Sequence, residues 1–145
     1  MKQSIFYIAI LSLALFSCKK NAEQTTSVTL AGNWKMIAVR DNNSGSVVTK
    51  PNSIQGDVAI IFSETTTSAG TFYGHTPANQ ISQSNYRTGA GNRLTILELA
   101  MTKVAETLWG AAFVNNIRDA QQYRFEKNGN LDIITLSATL IFQRQ

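Results

Sequence analysis

The strongest constraint on the fold is the repeated alternation of apolar and polar residues between residues 30 and 144. Each alternating stretch is short, and glycine, asparagine and serine separate it from the next. Side chains of a β-strand point alternately to its two faces, so a period of two predicts strands that bury one face. Clear examples are 32–40, 94–97 and 122–126. The Asn128-Gly129 pair predicts a tight hairpin, because both residues accept positive φ angles.

One segment has the periodicity of a helix. Within 106–117, three large apolar residues recur at i, i+4 and i+8, namely Trp109, Phe113 and Ile117. This spacing places them on one helix face. Leu108 and Ala112 flank the stripe, and Thr102 and Thr107 are both candidates for its N-cap. We therefore expect one short helix whose apolar stripe packs on the sheet.

The number of strands bounds the architecture. Eight or nine antiparallel strands form a sheet that curls, because the twist of each strand accumulates across the sheet. The predicted fold is therefore mainly β with one short helix, in which a curled antiparallel sheet forms a compact, partly open (cracked) barrel. A gap in such a barrel is a natural place for a binding site.

The N-terminal residues have the pattern of an export signal. Lys2 precedes the apolar run 5–16, and the chain turns polar directly after Cys18. A run of this length suits a secretory signal, whereas a membrane-spanning helix needs about 17–25 residues. The sequence Leu15-Phe16-Ser17-Cys18 resembles the lipobox of bacterial lipoproteins, in which the cysteine is acylated. An ordinary signal peptide with an incidental cysteine is the alternative.

These features predict a division of the chain: a lipoprotein signal peptide (1–17), a lipid-anchored cysteine with a polar tether (18–29) and a β domain (30–145). Cys18 is the only cysteine, so acylation also explains an otherwise unpaired thiol in an exported protein. Two or more acyl chains hold a protein firmly on a membrane. The expected partner is thus the membrane, through lipid on Cys18, and the expected location is the outer membrane, facing the periplasm.

Several phrases of the domain, taken in order, resemble the META domain of small bacterial envelope proteins. They are Leu30-Ala31-Gly32-Asn33-Trp34, the glycine-rich segment 70–79, Thr102-Lys103 and the closing Leu140-Ile141-Phe142-Gln143-Arg144. The resemblance implies a cracked antiparallel barrel with one helix, and a lipoprotein associated with envelope stress. Cysteines of many members are replaced here by Ala78 and the Val104-Ala105 region. Gly32-Asn33-Trp34 is also similar to the opening of lipocalins, which leaves a lipocalin-like barrel as the alternative.

The composition argues against several functions. From Val28 onward there are ten Lys/Arg and eight Asp/Glu residues, without a basic cluster, so nucleic acid is not an expected partner. With one histidine and dispersed carboxylates, we expect no metal and no cofactor. His75 lies in a glycine-rich phrase without a nucleophile motif. We therefore expect no enzyme activity, and a hydrolase that uses His75 is the alternative.

One polar segment is the candidate ligand site. It contains Tyr73, His75, Thr76, Asn79 and Tyr86, which we expect to supply polar contacts around an apolar pocket at the barrel mouth. The alternative is that they line the solvent face of a hairpin. The predicted function is non-catalytic binding of an apolar small molecule or an envelope protein. A lipid-sized pocket favours the small molecule, and a filled barrel with an exposed apolar patch favours the protein. A purely structural role is the third possibility, and the sequence does not determine the oligomeric state.

Overall fold

The computed structural model describes residues 29–145, which form one antiparallel β-barrel. Its elements are β1 (Gly32–Asp41), β2 (Val47–Thr49), β3 (Ala59–Thr66), β4 (Ala69–His75), β5 (Gln80–Gly89), β6 (Arg93–Glu98), α1 (Leu108–Ile117), β7 (Ala120–Phe125), β8 (Leu131–Thr135) and β9 (Ala138–Arg144). The predicted signal peptide, Cys18 and the tether before Thr29 lie outside the described residues.

Eight of these strands close into a ring. From β3 to β9 each strand pairs with the next, β1 pairs with β3, and β9 pairs back with β1 from Trp34–Arg144 to Asp41–Ala138. β2 is an additional strand, which pairs with the second half of β1 beyond the end of β3. The prediction of a mainly β fold with one short helix and a curled antiparallel sheet is confirmed.

The strand pairing of the ring is shortest between β6 and β7. Within the described residues, one Cα pair joins these strands, Arg93 with Gln122, supported by a 2.9 Å hydrogen bond from Tyr123 N to Asn92 O. In sequence, α1 and its connections lie between the two strands. The opening that the sequence predicts is thus a narrow seam in an otherwise closed barrel.

Hydrophobic side chains fill the barrel interior. Nineteen of them form one contiguous buried cluster, to which nearly every strand and α1 contribute. The largest members are Trp34, Trp109, Phe62, Phe72, Tyr86, Phe113 and Phe142. A ring of eight strands is just wide enough for side chains to fill it. Because the ring closes on its own core, residues 29–145 form a unit that can fold without the preceding residues.

The barrel has two distinct ends. We call the end at which β1 begins the tether end, since Thr29 lies there; β3, β5, β7 and β9 also finish at this end. Leu30 covers it and accepts a 2.8 Å hydrogen bond from Trp34 Nε1 through its carbonyl oxygen. The Arg144 guanidinium stacks 4.6 Å from the centre of the Trp34 ring. The chain before Thr29 therefore starts from this end of the domain.

The opposite end, which we call the helix end, is covered by α1. Thr107 caps the helix, and its hydroxyl oxygen accepts a 3.1 Å hydrogen bond from Gly110 N. The predicted stripe of Trp109, Phe113 and Ile117 is buried, as expected. Leu108 is 85% exposed instead of packed beside the stripe, because consecutive residues are about 100° apart around a helix.

Candidate functional site

The five side chains predicted to bind a ligand are spread over the barrel. Thr76 and Asn79 are buried in the β4–β5 turn at the helix end, and His75, at the end of β4, is half-buried. Tyr73 is 47% exposed, and Tyr86 is buried towards the tether end. Among these five, recorded hydrogen bonds connect only Thr76 with Asn79. Ligand binding by the five residues stays a prediction.

Asn79 joins the β4–β5 turn to the segment that precedes α1. Its Oδ1 accepts hydrogen bonds from Thr102 Oγ1 (2.9 Å) and Val104 N (2.7 Å). Its Nδ2 donates to Val104 O (2.8 Å) and Glu106 Oε1 (2.5 Å). All four hydrogen-bonding positions of the amide are thus occupied inside the protein. The arrangement fixes the turn against the segment that leads into the helix.

Glu106 is the member of this network that the sequence analysis missed. Its Oε1 also accepts a hydrogen bond from Thr76 Oγ1, while Oε2 is buried without a hydrogen-bond partner among the described residues. A Cβ on Gly110 would lie 1.8 Å from that Oε2, so the carboxylate packs directly against the helix backbone. The helix N-terminus favours a negative charge there. We call Thr76, Asn79, Thr102, Val104 and Glu106 the Asn79 network.

No local sequence pattern predicts that Glu106 contacts the β4–β5 turn. It lies 30 residues from Thr76 and 27 from Asn79 along the chain. The one available signal is the resemblance that places Thr102-Lys103 before the helix and an asparagine at the end of the glycine-rich segment. The network is a structural clamp at the helix end, in which the Asn79 amide is fully hydrogen-bonded and Glu106 Oε2 alone is left without a partner among the described residues.

Tyr86 belongs to the core. Its ring meets Phe62 edge-on at 5.1 Å between ring centres and covers Gly70, which has no side chain to obstruct it. Burial of the phenol, with a smaller contribution from Glu64, raises the pKa of Tyr86 to about 12. The phenol group is therefore held in its neutral form.

This raised pKa predicts a loss of stability in strong alkali. An unfolded tyrosine titrates near pH 10, so the unfolded chain releases the proton first as the pH rises. The stabilisation is complete below about pH 10 and disappears as the pH approaches the folded value of about 12. Tyr86→Phe should flatten this decline, as measured by urea unfolding across that range, whereas Tyr123→Phe should leave the Tyr86 part in place. Parallel declines of wild type and Tyr86→Phe would contradict the assignment.

His75 has no triad geometry in the described part of the chain. No hydrogen bond from its imidazole to a serine or a carboxylate is recorded between residues 29 and 145. Over the same residues, no group of three or more His, Cys, Asp or Glu side chains is arranged to hold a metal ion. The absence of enzyme activity stays a prediction.

A mainly apolar concavity lies at the helix end. It is a groove of about 400 Å³ between α1 and the β1–β2 hairpin, which we call the mouth groove. Its main lining residues are Val39, Val48, Pro51, Leu108, Trp109 and Ala112. Trp109 is 2% exposed, and its Nε1 has no hydrogen-bond partner in residues 29–145. The groove is open to solvent and separate from the filled barrel interior.

Hydrogen bonds from Asn116 hold one wall of the mouth groove in place. Asn116 Oδ1 accepts a 2.8 Å hydrogen bond from Ser137 Oγ, and its Nδ2 donates to Ala112 O at 2.8 Å. Asn42 Nδ2 donates to Thr135 O at 3.0 Å, and Thr139 Oγ1 donates to Asn42 Oδ1 at 2.7 Å. The last turn of α1, the β8–β9 turn and the end of β1 are therefore one connected unit, and the groove is preformed.

Comparisons with known proteins add no relative. Among residues 29–145, no helix is long and apolar enough to cross a membrane. No protein-family model, no curated protein and no solved structure matches the chain.

Proposed function

We propose that the protein is a lipid-anchored component of the bacterial cell envelope, with a META-like barrel that binds an apolar segment of another envelope protein in the mouth groove. The barrel is the scaffold, and lipid on Cys18 holds it to the membrane. The META resemblance implies a cracked antiparallel barrel with one helix, and the antiparallel barrel with one helix supports the proposal to that extent.

The observation that carries the proposal is the contrast between the filled interior and the open groove. The nineteen buried hydrophobic side chains occupy the space in which a lipocalin-like carrier holds its ligand. The mouth groove is instead apolar, preformed and accessible. A filled barrel with an exposed apolar surface is typical of a protein that binds another macromolecule.

The apolar surface also extends beyond the groove. Val48 and Leu108 line it with 55% and 85% of their surface exposed, and Leu136, beside the lining residue Ser137, is 73% exposed. A molecule that fills about 400 Å³ would leave much of this surface in water. A protein segment that lies along the groove would cover it, which favours a protein partner.

A second candidate function is the binding of an apolar small molecule in the same groove. Ligand pockets commonly measure roughly 300–1,000 Å³, are mostly apolar and often lie at barrel mouths. The mouth groove, at about 400 Å³, has a suitable size and lining. This alternative predicts a bound molecule that survives purification and is released on denaturation.

The position of the anchor supports a partner away from the membrane. Ten residues lie between Cys18 and Thr29, so the eleven residue-to-residue steps reach at most about 40 Å. It joins the domain at the tether end, and the mouth groove lies at the opposite end. A domain held in this way can present its groove to proteins of the periplasm.

Site-specific crosslinking in the producing bacterium tests both parts of the proposal. The full chain carries a benzophenone amino acid at Leu108 or Val48, and the membrane fraction is analysed after illumination. We expect one discrete protein adduct from either position. We also expect Cys18→Ser to move the protein from the membrane fraction to the soluble fraction, because the acylated thiol is lost.

Leu97 provides the matched control, because it is 55% exposed, like Val48, but lies on β6 outside the groove. Equal adducts from Leu97 and Leu108 would refute the groove as the binding site. Native mass spectrometry of the purified domain distinguishes the second candidate. A reproducible apolar molecule, displaced by Leu108→Ser and accompanied by no protein adduct, would replace the protein partner with a small ligand.

A further inference from the structure

Ion pairs neutralise the middle of the barrel surface. Asp57 lies 2.8 Å from both Lys35 and Lys50, measured between carboxylate oxygens and Nζ atoms. The buried Asp132 carboxylate accepts hydrogen bonds from Arg40 (3.2 Å) and Arg124 (2.9 Å), and Arg124 also pairs with Glu126. Four of the ten basic side chains after Val28 are thereby matched with carboxylates of the described chain.

The remaining charges are divided between the two ends. Within residues 29–145, four cations without an ion-pair partner lie at the tether end, namely Arg87, Arg93, Lys127 and Arg144, against one unpaired carboxylate, Glu64. At the helix end, the same residues include two unpaired cations and four unpaired carboxylates. The cations are Lys103 and Arg118, and the carboxylates are Asp41, Glu98, Glu106 and Asp119. The tether end is thus positive and the helix end negative, although the domain as a whole is nearly neutral.

The positive end is also the end from which the tether starts. Arg144 donates a 3.4 Å hydrogen bond from Nη2 to Thr29 O, so this cation touches the first described residue of the domain. In the sequence, Lys19 and Lys20 carry two more positive charges between Cys18 and Thr29. The positive charge of the tether end and the attachment of the tether at Thr29 therefore both favour the membrane as the neighbour of this end.

We infer that the tether end is a membrane-facing surface that binds anionic lipid headgroups. This inference rests on the proposed lipid anchor, because the anchor brings this end close to the bilayer. Each Lys or Arg near an anionic membrane strengthens binding about five-fold, and the attraction acts within about 8 Å at physiological salt. The surface orients the barrel so that the negative helix end, with the mouth groove, points away from the membrane.

Vesicle binding by the unlipidated domain tests this surface without the anchor. Residues 28–145 are mixed with vesicles of phosphatidylglycerol and phosphatidylethanolamine, or of phosphatidylcholine alone, and bound protein is measured by sedimentation. We expect binding to the anionic vesicles only, and weaker binding as salt is added. Arg87→Gln/Lys127→Gln should weaken binding about 25-fold, as two cations at about five-fold each.

The matched control is Lys103→Gln/Arg118→Gln. It removes the same number of exposed, unpaired cations and changes the net charge by the same amount, but at the helix end. We expect its binding to stay close to that of the unaltered domain. Equal losses from both double variants, or equal binding to phosphatidylcholine, would overturn the inference. Either result leaves the crosslinking and Cys18→Ser fractionation outcomes unaffected, so this surface and the proposed function fail separately.

Discussion

Replacing Asn79 with alanine should lower the free energy of unfolding by about 3 kcal/mol, chiefly through lost hydrogen bonds. The substitution removes four hydrogen bonds, two that Asn79 accepts and two that it donates. It leaves the Glu106 carboxylate with one fewer donor in a partly buried position. An abandoned buried polar group costs about 1–3 kcal/mol, and groups in a network lose more together than singly. Urea unfolding of the purified domain measures the change.

Two further variants provide reference values for this expected loss of stability. Gln83→Ala, at an exposed position on β5, the strand that follows the turn, should change stability by less than about 0.5 kcal/mol. Thr102→Val removes one donor to Asn79 Oδ1 and the acceptor of Gln80 N, and should cost about 1 kcal/mol. If Asn79→Ala lowered the free energy of unfolding no more than Gln83→Ala, the Asn79 network would not contribute to stability. Its assignment as a clamp would then be wrong.

The parts of the fold that were predictable depend on local patterns. Alternation along β1, the Asn128-Gly129 hairpin and the stripe of Trp109, Phe113 and Ile117 each encode their structure within a few residues. Gly129 has the positive φ of 84° that the turn requires. Closure of the sheet follows from strand number and twist, which is why the barrel was predictable before any contact was known.

Two strand segments were not predictable, because neighbours impose them. β3 continues through Glu64 to Thr66, which lack the alternation of apolar and polar residues, because β4 pairs with it as far as Ala69. β2 consists of three exposed residues that pair with β1 beyond the end of β3. Both are consequences of pairing, which overrides the weak local preference of such short segments.

The candidate site was the least predictable part, because it depends on distant residues. The polar segment 73–86 suggests a mouth lined by hydrogen-bonding groups, yet Thr76 and Asn79 use those groups to hold the segment before α1. The mouth groove joins residues of β1, β2, α1 and the β8–β9 turn, which no single sequence window contains. In the sequence, the one local feature related to the mouth groove was the apolar residue Leu108, which flanks the helix stripe and is exposed in the structure.

The glycine-rich segment 70–79 provides a second prediction with a large expected effect. Gly70 lies on β4 under the Tyr86 ring, and a Cβ there would approach Ser63 O to 2.2 Å and the Tyr86 hydroxyl to 2.4 Å. Such distances require the backbone of β3 to move away from β4. We expect Gly70→Ala to lower the free energy of unfolding by about 3 kcal/mol or more, since added volume in a packed core costs 1–3 kcal/mol even where side chains yield.

Gly89→Ala is the control, because its Cβ would lie 3.6 Å from the nearest atom, Arg93 Cβ, which is ordinary contact. That variant should keep or slightly raise the stability, by up to about 1 kcal/mol, because alanine restricts the unfolded chain more than glycine does. Adding Tyr86→Phe to Gly70→Ala separates the hydroxyl from the other obstacles. The hydroxyl is then gone, but Ser63 O at 2.2 Å and the ring carbon Cζ at 2.5 Å still block the methyl group, so the double variant should recover little. Full recovery of stability would mean that the phenol hydroxyl alone requires glycine at position 70. It would also mean that the β3 and β4 backbones can move apart at little cost in stability.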